Sequence, residues 1–452
     1  MPADKIAAIR RMDELGPLLA EAAGRFGTPV YVVDLPSVAA AAQQVESAFG
    51  APWVRQYSLK ANDLPAITAF LSERGWGGNV VSAGEWQHAR HGGLGNGAVS
   101  FEGIGKTDAE LEFAVAETAA GRPPRWLAIE SGQEATRLAE LAAAHRLGTG
   151  PRPPLDLLLR LNPEVAPETR DEFAVGRRAS KFGMSEAEIR SLVRSGVVTG
   201  GGLRLRGIHV HVGSDLGDVH AWAEAGLRAT ELAADLGGRA DGVDTVDFGG
   251  GFPLPGAGAP PPRRFREALA ERLASRGLTL PARPAIEPGR YLVGAAGWLV
   301  GSVLHVRNSM NGFRSRAGAL AVIDAGMTEF IRPALYGSHH PAHMLPGTRQ
   351  PAGDVRDTAL EGAVCESTDS FGVHPLPQLQ RGDLLAIENA GAYAASFTSR
   401  YNGRPHPAEA LIMPDGTLRL SGRPSLTPVQ PVLAEAAEAG PAAPYRGSLT
   451  AP

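Results

Sequence analysis

At 452 residues the chain is too long for one ordinary core, so two domains are expected, one of them large. A hydrophobic fraction of 43%, a charged fraction of 20% and a net charge near −4 fit a soluble globular protein and argue against nucleic acid or anionic membranes as partners. A single cysteine excludes an intrachain disulfide and a cysteine-based zinc site. No apolar run approaches the roughly 20 residues needed to span a bilayer, and the opening MPADKIAAIRRMDELG lacks a signal-peptide core, so a cytoplasmic protein is expected.

In chain order, TPVYVVD (28–34) reads as a strand. Eight further strand candidates follow at 53–59, 78–82, 98–103, 125–131, 155–163, 205–213, 244–252 and 283–289. Between them, residues 109–120, 134–145, 219–237 and 264–275 carry apolar side chains at three- and four-residue spacing, the mark of amphipathic helices. Eight strands alternating with helices predict an α/β fold, a (β/α)8 TIM-like barrel, over a region of suitable length. From about residue 295 the pattern changes to strand-like runs such as WLVGSVLHVR, LAVIDAG, GDLLAIENAG and AEALIMPDG, separated by turn residues. This predicts a C-terminal β-rich domain, which the strand at 28–34 joins. The expected division is a barrel over 36–292 and a β-rich domain made of 1–35 and 293–452. The Pro/Gly-rich stretch 253–264 reads as a loop, and the tail from 435 reads as poorly ordered.

Active sites of such barrels lie at the C-terminal ends of the strands. Polar groups collect there: Lys60 after the first strand, Ser82 after the second, Arg160 near the end of the fifth, His211 and Ser214 after the sixth, Gly249–Gly251 after the seventh and Glu287 after the eighth. Singly, each has a bland reading as a surface charge, a structural histidine or a turn. Lysine is scarce, however: only Lys5, Lys60, Lys106 and Lys181 stand among 44 basic residues. An amine can lose its proton and attack a carbonyl, which a guanidinium cannot do at ordinary pH. The glycine run offers bare backbone N–H groups to a phosphate, Ser214 and Arg290 add a hydroxyl and a cation, and Glu287 can face a pyridine nitrogen. His211 can stack on the ring and Lys60 can form a Schiff base. These parts together describe a pyridoxal 5'-phosphate site.

The motifs TPVYVVD, YSLKAND, VVSAGE, LRLNP, SKFGM, GIHVHVGS, DFGGGFP, EPGR, IRPALYGSHHP, CESTD and GAYAASFTSRYNGRPHPAEALI occur in this order between about residues 28 and 415. In them the chain resembles the fold type III pyridoxal phosphate decarboxylases, most closely the diaminopimelate decarboxylase branch. The resemblance implies an alanine-racemase-like barrel and a homodimer with shared active sites. It implies that Lys60 is the Schiff-base lysine and His211 the stacking imidazole. Ser214, Gly249, Gly250 and Gly251 would bind the phosphate, Glu287 would meet the pyridine nitrogen, and Arg290 would contact phosphate or substrate. Tyr393 would touch the cofactor. Cys365 and Glu366 would reach across from the partner subunit, with the Cys365 thiol a suitable acid for protonating the carbanion left by CO2. On its own, Cys365 would read as a small buried apolar residue.

The amino acid substrate is divided by its distal end. Arg332 and Tyr336 stand where the diaminopimelate branch grips a distal carboxylate, for which a planar guanidinium fork is suited, and Glu366 can serve a distal amine. Five departures from the branch pattern bear on this: Asn79 before VVS, Thr368 in CESTD, Ser338 and His339 in YGSHHP, and Ala394 in GAYAAS. The expectation is decarboxylation of meso-diaminopimelate to L-lysine. The alternative is the same chemistry on another amino acid, free or carrier-protein-bound, in a specialised pathway. A racemase would use a tyrosine as second base and lacks CESTD. A non-catalytic regulator predicts erosion of the cofactor groups, whereas Lys60, His211, Glu287 and Cys365 are all present.

Overall fold

The computed structural model describes residues 3–177, 180–237, 242–256, 258–308, 318–346 and 354–423. The tail from 435 lies outside them. Helix α1 (Ala3–Phe26) leads into β1 (Val30–Asp34) and α2 (Leu35–Ala48). Eight parallel strands then close a barrel in sequence order: β2 (Val54–Ser58), β3 (Gly77–Val80), β4 (Val99–Phe101), β5 (Trp126–Ile129), β6 (Leu155–Leu161), β7 (Leu203–Val210), β8 (Thr245–Asp247) and β9 (Arg283–Ile286). These are the eight runs expected from the sequence, each slightly shorter than its apolar stretch. The connecting helices include α3 (Pro65–Ser72), α4 (Ala83–His91), α5 (Asp108–Ala119), α6 (Gly132–Ala144), α7 (Glu186–Ser195), α8 (His220–Gly237) and α9 (Pro262–Ser275).

Local chemistry explains why the strand-to-helix turns are sharp. Ser82, Thr107, Ser131 and Ser185 each accept a backbone N–H of the helix that follows, satisfying one of its free donors. In α5 and α7 a glutamate at the third helical position bonds back to the cap, giving reciprocal capping boxes. Around the barrel, Phe49, Trp222, Phe248, Phe252 and Phe265 are fully buried in one aromatic cluster joining α2, α8, α9 and the end of β8. Truncating such a ring costs about 3–5 kcal/mol.

The remaining strands form a nine-stranded sheet among the described residues. They are β10 (Gly297–Asn308), β11 (Ala319–Ile323), β12 (Ala342–Met344), β13 (Arg356–Glu361), β14 (Ser370–Leu376), β15 (Leu384–Ile387), β16 (Ala408–Ile412) and β17 (Leu418–Ser421), joined by β1. Strand β1 lies between β10, antiparallel to it, and β16, parallel to it. The N-terminal strand therefore sits in the sheet of the C-terminal segment. One short helix, α10 (Arg290–Val293), carries the chain out of the barrel, and another, α11 (Arg332–Tyr336), interrupts the second sheet. Among the described residues no helix is long and apolar enough to cross a membrane.

Candidate active site

Lys60 lies in a 3-10 turn, Leu59–Ala61, directly after β2. The β-rich unit fixes that turn from outside the barrel. The Tyr393 N–H donates to the Ala61 carbonyl (2.7 Å), the Ser396 hydroxyl to the Lys60 carbonyl (3.0 Å), and the Asn62 amide to the Gly391 carbonyl (3.1 Å). Tyr393 takes a φ of 57°, a left-handed conformation unusual for a bulky residue. Its ring lies 4.9 Å from the Arg290 guanidinium carbon.

Two cavities meet at Lys60. A small one, about 60 Å³, runs between Lys60, His211, Ser214, Gly251, Arg290 and Tyr393. A larger one, about 340 Å³, is bounded by Lys60, Glu102, Arg160, Phe182, His211 and Glu287. His211 accepts the Gly250 N–H at Nδ1 (3.2 Å). Burial, reinforced by Lys60 and Arg160, holds its pKa well below the ordinary value, so the imidazole is neutral. The glycine run presses its backbone onto neighbouring strand ends. A Cβ on Gly249 would stand 2.6 Å from the Val210 carbonyl oxygen, and one on Gly250 would stand 2.5 Å from that of Glu287. Gly249 and Gly251 also need φ values of +68° and +106°. Two of the three N–H groups are spent internally, Gly250 on His211 and Gly249 on Asp247 (3.0 Å). Arg290 donates twice to the Ser214 hydroxyl, at 3.3 and 3.0 Å.

Behind Glu287 lies a polar layer inside the barrel that sequence reasoning missed. Asn79 donates to Glu287 (3.1 Å) and to Ser100 (3.2 Å). His209 Nε2 stands 3.2 Å from Glu102 and 3.5 Å from Glu287. Burial and the nearby Glu287 charge push Glu102 up to about 8, and the same two causes raise Asp247 well above its ordinary value. Burial lowers His209 to about 4. Glu102, His209 and Glu287 also bring ligand-capable atoms within 4.8 Å of one another. A signal for part of this layer existed: in GIHVHVG, His209 is two before His211, the spacing that puts side chains on one face of an extended run.

Two rim residues have structural partners. Ser82 caps α4 through the Glu85 N–H (3.2 Å). Arg160 pairs with Glu130 (2.5 Å) under the Phe182 ring (4.7 Å).

Arg332 opens α11 and is buried among aromatic faces, 5.4 Å from Phe173, 5.3 Å from Tyr336 and 5.7 Å from Tyr393. Burial and the neighbouring Arg290 push its pKa down to about 10, and its Nε has no hydrogen-bond partner. The Tyr336 ring packs edge-on against Phe173 at 5.0 Å. Cys365 and Glu366 are not brought to Lys60 within the chain. Both are exposed on the β13–β14 turn and line neither cavity. The turn is pinned by Asp369, which accepts the N–H groups of Val364 (2.7 Å) and Met327 (2.6 Å). Glu366 accepts the Tyr401 hydroxyl at 2.8 Å. Ser338, His339 and Thr368 share a separate surface cavity of about 400 Å³ beside α11.

A family model described as pyridoxal-dependent decarboxylase, pyridoxal binding domain, matches residues 35–294. The chain is 34% identical to a diaminopimelate decarboxylase of Deinococcus radiodurans, over 87% of this chain and 92% of that protein. It is 33% identical to the enzyme of that name from Methanothermobacter thermautotrophicus, over 87% and 88%. The solved structure of diaminopimelate decarboxylase from Helicobacter pylori complexed with L-lysine matches with a TM-score of 0.77 at 27% identity, covering 89% of this chain and 95% of that one.

Proposed function

The chain belongs to the pyridoxal-dependent decarboxylase family, and from that premise we propose that it removes one carboxylate of meso-diaminopimelate, yielding L-lysine and CO2. The observation that carries the substrate is Arg332: a buried guanidinium with an unpartnered Nε, beside Arg290 and Tyr393, suits a distal carboxylate.

The residues fit pyridoxal 5'-phosphate. The glycine turn is packed so tightly behind that only its open side can receive a phosphate, and Ser214 and Arg290 flank that side. When bound, the cofactor supplies an electron-withdrawing ring that takes up the electron pair released as CO2 departs. Lys60 would offer the amine that holds the cofactor's aldehyde carbon. His211, neutral and anchored through Nδ1, would stack on the ring without adding a charge there. Glu287 would meet the ring nitrogen and Tyr393 would touch the cofactor. Gly249, Gly250, Gly251, Ser214 and Arg290 would hold the phosphate. Tyr336 borders the distal end next to Arg332.

Cys365 donates the proton that replaces CO2, and Glu366 meets the distal amine, both from the second subunit of a cytoplasmic homodimer. Support for sharing comes from their exposure and from Leu335, Phe397 and Tyr401, large exposed apolar side chains, the last of them bonded to Glu366. The same reading divides the chain into a cofactor-binding barrel, 36–292, and a β-rich unit from 1–35 and 293–452.

A second reading has one specific support. Three departures, Ser338, His339 and Thr368, line one cavity beside α11, which favours another amino acid, free or attached to a carrier protein. Release of CO2 by cofactor-loaded protein, measured across meso-diaminopimelate, ornithine, lysine, arginine and glutamate, separates the two. A strong preference for meso-diaminopimelate supports the first. Turnover confined to another substrate overturns it.

A further inference from the structure

The barrel interior beneath the site buries more acid than the proposed chemistry uses. Glu102 follows β4, Asp247 ends β8 and Glu287 follows β9; all three are buried, and the His209 imidazole stands against Glu102 and Glu287. Two carboxylates this close in a dry interior cannot both ionise readily, so at least one must keep its proton. The donors distinguish them. Glu287 accepts the Asn79 amide at 3.1 Å, a bond that favours its charged form. One oxygen of Glu102, Oε1, has no partner at all. A proton therefore belongs on Glu102, and by the same mark on Asp247, whose Oδ2 is also buried without a partner.

We infer that Glu102 is a positioning residue: as a neutral acid it hydrogen-bonds to Glu287, keeping Glu287 the charged member of the pair and so holding a proton on the ring nitrogen opposite. The inference rests on the proposed contact between Glu287 and that nitrogen. The physical reason is competition for one proton. A donor behind Glu287 makes it a weaker base, and a weaker base leaves the proton on the ring. His209 Nε2 stands 3.2 and 3.5 Å from the two acids without contributing charge, since burial keeps it neutral. The charged and titratable groups facing Glu102 are Glu287, His209, Lys60 and Asp247.

The linkage has a definite sign. Glu102 has a folded pKa of about 8 against an ordinary 4.5, so the folded state holds a proton the unfolded chain gives up. Its contribution to stability is complete below 4.5 and is lost as pH rises through about 8.

The test compares Glu102→Gln, Glu102→Ala and Glu287→Gln with the unmodified protein. The first readout is the melting temperature of cofactor-free protein between pH 5 and pH 9 (roughly the window of the linked proton). The second is the 15N shift of the ring nitrogen in bound, 15N-labelled pyridoxal phosphate. The third is the affinity ratio of pyridoxal phosphate to its analogue with carbon in place of that nitrogen. Glu102→Gln keeps a donor, so it should preserve the protonated 15N signal while flattening the pH slope of melting. Glu102→Ala should move the signal toward neutral pyridine and lower the affinity ratio ~10-fold, one pKa unit's worth. If Glu102→Ala leaves signal and ratio unchanged while Glu287→Gln changes both, the inference fails and the cofactor reading stands. If Glu287→Gln also changes neither, the contact on which both rest is wrong.

Discussion

The two halves of the site are built differently. Around Lys60, the groups His211, Glu287 and the lysine turn are held by hydrogen bonds from several parts of the chain: Gly250 to His211, Asn79 to Glu287, and Tyr393 of the β-rich unit to the lysine turn. On the side of the β-rich unit, Arg332 has an unpartnered Nε, and Cys365 and Glu366 stand exposed on a turn away from both cavities. The difference teaches that one chain gathers the groups suited to the cofactor around Lys60, whereas it leaves Cys365 and Glu366 away from that lysine. Preorganisation of that kind keeps reacting groups from reorienting during chemistry.

The comparison can be broken or sharpened by substitution. The largest effect is expected on the organised side. Lys60→Ala should lower CO2 release on the order of 10^4-fold or more. The melting temperature should stay near that of the unmodified protein, because the turn is held through backbone groups rather than the amine. Next comes the exposed turn. Cys365→Ala should lower kcat by ~10^3-fold, the middle of the range for a lost general acid, with cofactor affinity unchanged. If the sites are shared, mixing the inactive Lys60→Ala and Cys365→Ala chains should restore about a quarter of the sites, as random pairing of a symmetric dimer requires. No recovery on mixing would show each chain to be self-sufficient.

Arg332→Ala should raise KM for meso-diaminopimelate by ~100-fold, the worth of a charge-assisted bond to a carboxylate, and should affect kcat less. Equal KM in both proteins would remove the distal-carboxylate assignment. The smallest effect concerns the seam between the halves. Asp63 follows the lysine turn, pairs with His88 at 2.8 Å and also with Arg423 of the β-rich unit, which in turn binds Glu409. His88 and Arg423 hold the Asp63 carboxyl at about 2, below its ordinary 3.8. That stabilisation is present above 3.8 and is lost as pH falls through about 2. Asp63→Asn should therefore cost about 2 kcal/mol at pH 7, read by denaturant titration, and the difference should vanish at low pH.

The expected strands were recovered because their signals are local. An apolar run bounded by turn residues and followed by a capped amphipathic stretch keeps its character wherever the chain later places it. The role of Ser82 was misjudged for the same locality: position after a strand suggested a rim group, but its hydroxyl is used by the next helix. The sequence reading assigns no element to residues 3–26, which form the long helix α1.

By itself, the amino-acid sequence determined the alternation that makes a barrel, the rarity of lysine that singles out Lys60, and the order of motifs that marks the family. Only the tertiary structure decided that Asn79, Glu102, His209, Asp247 and Glu287 meet in one layer, and which of them hold protons. These residues come from five different parts of the chain and meet when the barrel closes. Their protonation depends on burial and on one another's charge, neither of which exists until the strands are side by side.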